Sequence, residues 1–315
     1  MADRPEIDRS TTAIAELPQR QFGRNGETIP LLGLGTAPGG KGLSDDDAVR
    51  LYHHAIDVGV TYLDTAPGYG EAQRQLSRVL RQRRDEVFLV TKTPTSDRAE
   101  AVAMLERNLA DLGTDSVDLA LVHDLGPRDV DQVLGEDGAL AGLIEAKRRG
   151  LTRYVGFSAH SHPAKARRVI ESADVDAVLL AMNFADRFTY NFEERVLPAA
   201  ADRGVAVVGM KAFGGAPRMT YTAPTLSALA AATDRGERDA DRFRIDFHDL
   251  ALRYALTLTG VSGVVVGVYT EAELRTAVRC ARDLRPLSTR EEQLLQQHGK
   301  RIAEHWGAHF GPVGD

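Results

Sequence analysis

A (β/α)8 barrel of the TIM type, with a hairpin before it and an extra helix after it, is the fold class this sequence predicts. Three observations carry it. Short runs of apolar, β-favouring residues alternate with amphipathic stretches at helical spacing, and this pair recurs eight times along the chain. The runs are apolar without alternation, as strands buried on both faces of a parallel sheet are. An open dinucleotide-binding sheet would need a GxGxxG turn after its first strand, whereas Gly33 to Gly40 reads GLGTAPGG.

In order along the chain, residues 1–20 are charged and aperiodic and read as a flexible N-terminus. GETIPLLGLGT, Gly26 to Thr36, predicts a short hairpin feeding the first barrel strand. Ser44 before three aspartates opens a helix, since its hydroxyl can cap free N–H groups and the acids suit the positive helix end. Its inner face carries Ala48, Leu51, Tyr52, Ala55 and Ile56. The second strand, Val60 to Leu63, delivers Asp64 to a Pro/Gly loop containing Tyr69. A helix over Glu71 to Arg81 follows, then the strand Val87 to Val90 ending at Lys92. Val102, Leu105, Leu109 and Leu112 mark a helix stopped by Gly113.

Strand four, Val117 to Val122, ends at His123, and a helix spans about Ala139 to Arg149. The fifth strand, YVGFS, ends at Ser158, and the sixth, VDAVLLA, leads to Asn183. Helices over about Ala164 to Ser172 and Glu193 to Arg203 flank that sixth strand. The seventh, VAVVGM, leads to Lys211, and the eighth, GVVVG, ends at Gly267 after a helix near Phe247 to Leu258. Glu271 to Arg282 completes the eighth unit, and Thr289 to about His309 is the extra helix. One long Gly, Pro and charge-rich stretch, Phe213 to Arg244, interrupts the pattern and is expected to be a lid over a ligand. No boundary divides the remainder, so 21–315 reads as a single domain.

Composition narrows the function. Charged residues of mixed sign make up 27% of the chain and the net charge is -6, with no basic footprint for nucleic acid. The single cysteine, Cys280, excludes an internal disulfide and fits a reducing compartment. No apolar run reaches the roughly 18 residues of a spanning helix. A cytoplasmic protein acting on a small molecule is the expectation.

The chemistry lies at strand ends. Barrel active sites form at the C-terminal ends of the strands, where Asp64, Lys92, His123, Ser158, Asn183, Lys211 and Gly267 all fall. A phenol ionises near pH 10 when unperturbed, so Tyr69 can donate a proton near neutrality only beside a cation that stabilises its phenolate. Lys92 is the candidate cation. Singly, these residues read as an ion pair, a loop aromatic and a core histidine; together on one face they predict proton transfer.

At these residues the chain resembles a family. GVTYLDTAPGYGE from Gly59 to Glu71, the TKT around Lys92, the LVHD around His123 and the opening GLGT resemble the aldo-keto reductases. The resemblance implies NAD(P)H-dependent reduction of an aldehyde or ketone. It implies Tyr69 as the general acid, Lys92 lowering its pKa, Asp64 holding Lys92, and His123 orienting the carbonyl and sharing the proton relay. It also implies a cofactor set of Gly35, Thr36, Asp64, Ser158, Asn183, Met210, Lys211, Phe213, Gly267, Thr270 and Glu273. NADPH is the expected cofactor, with NADH open.

The chain departs from that family at several cofactor positions. Ala159 and His160 follow Ser158 where asparagine is common, Leu179 stands where glutamine is usual, and Met210 replaces a stacking aromatic. Lys211, with Gly214 and Gly215, is expected to meet a phosphate. Beyond the eighth strand Tyr269 stands where arginine is frequent, Arg275 is the nearby cation, and Glu271 and Glu273 could meet a ribose. Two alternatives remain: a nucleotide-sensing regulatory module with little turnover, and a metal-dependent barrel hydrolase using His160 and His162.

Overall fold

The computed structural model describes residues 17–216, 221, 227–229 and 247–314. Strands β1 (Gln19–Gln21) and β2 (Thr28–Pro30) pair antiparallel as a hairpin. The hairpin therefore begins inside the stretch expected to be flexible; residues 1–16 lie outside the described residues. Parallel strands then follow: β3 (Leu32–Gly35), β4 (Tyr62–Asp64), β5 (Phe88–Thr93), β6 (Val117–Val122), β7 (Thr152–Ala159), β8 (Ala177–Ala181), β9 (Ala206–Met210) and β10 (Val261–Val266). They run in sequence order around a closed barrel, with β10 pairing with β3.

Side chains fill the barrel. Tyr62, Phe88, Val90, Leu119, Leu121, Leu179, Val208 and Val265 pack inside it with Phe22 and Ile29 from the hairpin. The Phe22 ring meets Phe88 edge-on at 5.0 Å and Tyr154 at 5.3 Å. The hairpin thereby plugs the N-terminal end, and ligand access is left to the opposite end. A larger apolar layer between strands and outer helices completes the core.

The helices form where caps and apolar faces direct them. Ser44 accepts the Asp47 N–H at 3.2 Å at the start of the helix Asp45–Asp57. Thr270 with Glu273 and Ser288 with Glu291 form reciprocal capping boxes on the helices Glu271–Arg282 and Thr289–Trp306. The expected single helix from Glu193 to Arg203 is instead two, Phe192–Arg195 and Leu197–Asp202, broken at Val196. Pro198 explains the break, because it has no N–H to continue the ladder and its ring crowds the preceding turn.

A short helix, Ala37–Gly42, also stands where the sequence suggested only loop. Its glycines serve packing: a Cβ on Gly40 would collide with the carbonyl oxygen of Tyr69. The Glu71 N–H donates to the Gly40 carbonyl at 3.0 Å, so this helix braces the Tyr69 loop.

Candidate active site

Four side chains converge where the strand ends open. Lys92, inward-facing on β5 and buried, donates from Nζ to Asp64 Oδ1 at 2.6 Å and to the Thr65 carbonyl at 2.9 Å. Its Nζ lies 4.9 Å from the centre of the Tyr69 ring, and the His123 ring meets Tyr69 edge-on at 6.0 Å. Parallel strands put successive inward residues at one level, and Tyr69 drops onto that level from the braced loop.

The electrostatics differ from the expectation in one respect. Burial pushes the Tyr69 phenol well above its ordinary value, and the charges of Asp64, Tyr221 and Asp124 push it further. The net direction in the resting site is upward, with the Lys92 ammonium held by Asp64 and Thr65 as its hydrogen-bond partners. Burial likewise raises Asp64 and lowers Lys92, each opposed by the charge of the other. His123 is pulled down to about 3 by burial, then by Lys92, Arg128 and Lys211. At neutral pH the arrangement is a protonated phenol beside a neutral imidazole.

From Tyr69 a cavity of about 1170 Å³ runs between β3, β9 and β10 toward the helices Phe247–Thr257 and Glu271–Arg282. Of the expected cofactor residues, Gly35, Asp64, Met210, Lys211, Phe213, Gly267 and Glu273 line it. Thr36, Ser158, Asn183 and Thr270 do not. Thr36 donates its hydroxyl and N–H to the Asp64 carbonyl at 3.0 and 2.9 Å. Ser158 Oγ accepts the Asp124 N–H at 2.9 Å. Thr270 caps its helix, and Glu273 accepts the Tyr269 N–H at 2.7 Å within that cap.

Asn183 is fully engaged. Its amide donates to Asp186 Oδ2 at 2.5 Å and to the Lys211 carbonyl at 3.2 Å, while its oxygen accepts from Ala185 and Asp186 N–H groups. Lys211 has a left-handed backbone, with φ of 61°, and its Nζ donates to the Tyr221 hydroxyl at 2.6 Å. Gly214, with φ of 70°, packs against Trp306, whose ring lies where a Cβ would stand. Arg275 is not among the cavity-lining residues and pairs with Glu271 at 3.2 Å.

Several residues escaped the sequence reading. Arg279, Arg285 and Arg290 line the far end of the cavity. Arg279 lies on the same helix face as Ala272, Thr276 and Asp283, so helical spacing from the eighth strand was the signal that could have found it. Tyr221 reaches the Tyr69 end from the long segment, which otherwise falls largely outside the described residues, and the lid expectation with it. The C-terminal tail also arrives: Tyr190 donates to the Gly311 carbonyl at 3.0 Å, and Phe310 sits 5.7 Å from the His160 ring. His162 Nδ1 lies 2.9 Å from Ser161 Oγ, and among the described residues no three His, Cys, Asp or Glu side chains gather as metal ligands.

A sequence model of the Aldo/keto reductase family matches residues 31–300. The chain is similar to pyridoxal 4-dehydrogenase of Microbacterium luteolum, 26% identical over 82% of this chain and 92% of that protein. It is similar to L-galactose dehydrogenase of Arabidopsis thaliana, 24% identical over 88% and 92% of the two chains. In fold it resembles the holo form of aldo-keto reductase AKR11C1 from Bacillus halodurans, with a TM-score of 0.69 and 22% identity over 90% of this chain and 96% of that one. Since the family match runs from the threshold of the first barrel strand into the final helix, this chain belongs to the aldo/keto reductase family of oxidoreductases.

Proposed function

We propose that this protein interconverts an aldehyde or ketone and the corresponding alcohol with a nicotinamide dinucleotide as partner. The observation that carries this reading is Tyr69 seated on the buried Lys92–Asp64 pair, with His123 at its edge, at one end of a cavity of about 1170 Å³. Two relatives, pyridoxal 4-dehydrogenase and L-galactose dehydrogenase, are named for the oxidative direction, which makes oxidation of a hemiacetal or alcohol as eligible as carbonyl reduction.

The cavity's chemistry suits the dinucleotide. Met210 offers a polarizable apolar face near Tyr69 and Lys211 a cation beside it, while Arg279, Arg285 and Arg290 gather at the other end. Those three arginines favour NADPH, whose extra phosphate needs cations, over NADH. A bound nicotinamide would supply or accept the hydride. The chain's own residues manage the proton and the charge on oxygen. In reduction Tyr69 holds its proton until negative charge builds on the carbonyl oxygen, then donates it. His123, neutral, donates a second hydrogen bond to that oxygen, and the Lys92 ammonium stabilises the phenolate that is left.

Fluorescence titration with NADPH and NADH, followed by a carbonyl and alcohol panel with the tighter nucleotide, tests the proposal. Saturable binding with NADPH preferred and multiple turnover are expected. Binding with persistent single turnover would favour a nucleotide sensor, and absence of binding would end the proposal.

A further inference from the structure

His160 is left over by the reaction described above. It stands just past β7, whose inward side chains include Tyr154, and two residues beyond Ser158, so it continues the inward row toward the mouth. Its backbone N–H acts on the Asp124 carboxylate, which accepts the Gly126 N–H at 3.4 Å. The side chain is only 9% exposed, yet Nδ1 finds no hydrogen-bond partner among the described residues. A buried polar atom left so costs stability unless something else meets it. The ring neighbours the reacting groups: Phe310 lies at 5.7 Å, and burial first, then the cations Lys211 and Lys92, hold the imidazole neutral.

Strand register fixes how His160 and His123 relate. Val122 of β6 pairs with Phe157 of β7, which sets His123 level with Ser158 and His160 one inward position nearer the mouth. Adjacent strands lie about 4.8 Å apart. Two imidazoles so placed suit two oxygens on neighbouring carbons, the deeper at His123 and the outer at His160. A neutral ring offers one donor and one acceptor, which matches a hydroxyl, a group that also donates and accepts, rather than a carboxylate.

Building on the carbonyl and alcohol chemistry proposed above, we infer that His160 is a specificity-determining residue that receives a hydroxyl on the carbon next to the reacting centre. The substrates are then hydroxy-aldehydes or hydroxy-ketones, or the diols and lactols they form on reduction or cyclisation, and simple carbonyl compounds are poor ones. Two of the strained backbone positions, Asp124 with φ of 52° and Lys211 with φ of 61°, flank this residue, as strain held at a binding site does.

The test compares 2-hydroxypropanal with propanal as substrates, for the wild type, His160→Phe and His160→Asn, with NADPH dissociation constants taken by fluorescence. Wild type should favour the hydroxylated compound at least about tenfold in kcat/KM, the worth of one well-made hydrogen bond to a buried group. In His160→Phe the ratio should fall to within about twofold, and in His160→Asn, which can still donate and accept, much of it should return. Equal kcat/KM for the two substrates in the wild type overturns the inference. So does a His160→Phe variant that loses both substrates alike while binding NADPH at least tenfold more weakly, since the imidazole would then serve the cofactor amide. If His160→Phe does not fold, His160→Asn with an unchanged ratio supports the inference and a collapsed ratio overturns it. Failure of the wild type to turn over either compound or to bind NADPH would instead remove the carbonyl chemistry itself.

Discussion

A phenol held above its ordinary pKa stays protonated, and that decides what Tyr69 can do. Tyr69→Phe keeps the ring on Lys92 and removes only the proton, so turnover should fall by roughly 10²–10⁴-fold while NADPH titrates nearly as before; comparable loss of both would contradict its role. The pH dependence follows from the same environment. His123 is lowered to about 3, so above that value the neutral ring is constant, and Tyr69 is raised, so its proton persists through the alkaline range. The reductive kcat/KM should therefore show no limb near pH 6.5 or below pH 9, and a histidine-like limb there would refute the neutral His123. The four residues were legible because each ends a strand or its loop, and the barrel rule turns strand ends into neighbours. The upward direction of the Tyr69 pKa was not, since it is set first by burial, which spacing does not fix. Asn183 was misjudged for a related reason: a buried amide is claimed by whichever backbone groups lie nearest, here those of Ala185 and Asp186.

Elements were legible where a period or a cap announces them, and not where packing overrides propensity. Capping at Ser44 was read from sequence, whereas Thr270, expected at the cofactor, caps its helix, and the helix Ala37–Gly42, with glycine at three of its six positions, goes against helix propensity and exists for its contacts. Gly40 lies against the Tyr69 carbonyl, and Gly70, with φ of 60°, lies against Gly40. Gly40→Ala should destabilise the fold by about 1–3 kcal/mol through overpacking and displace the Tyr69 loop. A shift on the order of 1 Å at the donor should cost turnover up to about 10²-fold. Gly68, in the same loop, has no positive φ and open space where a Cβ would stand, with nothing within 4 Å, so Gly68→Ala should leave stability and turnover near wild type. Denaturant midpoints and kcat for the two variants check this; equal behaviour would show that the short helix does not brace the loop. The split of the helix Glu193 to Arg203 teaches the same lesson in reverse, because Pro198 was visible and its consequence followed from covalent geometry alone.

At the scale of the whole molecule, closure of the barrel and the hairpin plug direct all chemistry to one end, and stability should register what burial there and elsewhere costs. Histidines lowered on folding, His123 and His160, bind protons more readily unfolded, so stability is lost as pH falls below about 6.5. Glu193 acts in the opposite sense. Buried between Arg187 at 3.5 Å and the Tyr254 hydroxyl at 2.5 Å, it ties the helix Phe247–Thr257 to the segment after β8, and burial raises its carboxyl from 4.5 to about 7. A raised carboxyl favours folding most when protonated, so its contribution is whole below pH 4.5 and is lost as pH rises through 7. The interval corresponds to about 3 kcal/mol. Glu193→Gln keeps the shape and cannot ionise, and its unfolding free energy should gain on the wild type by about that amount between pH 4.5 and 8. Denaturant unfolding at several pH values measures the difference directly, and a difference that does not change with pH would show that Glu193 is already ionised where it lies.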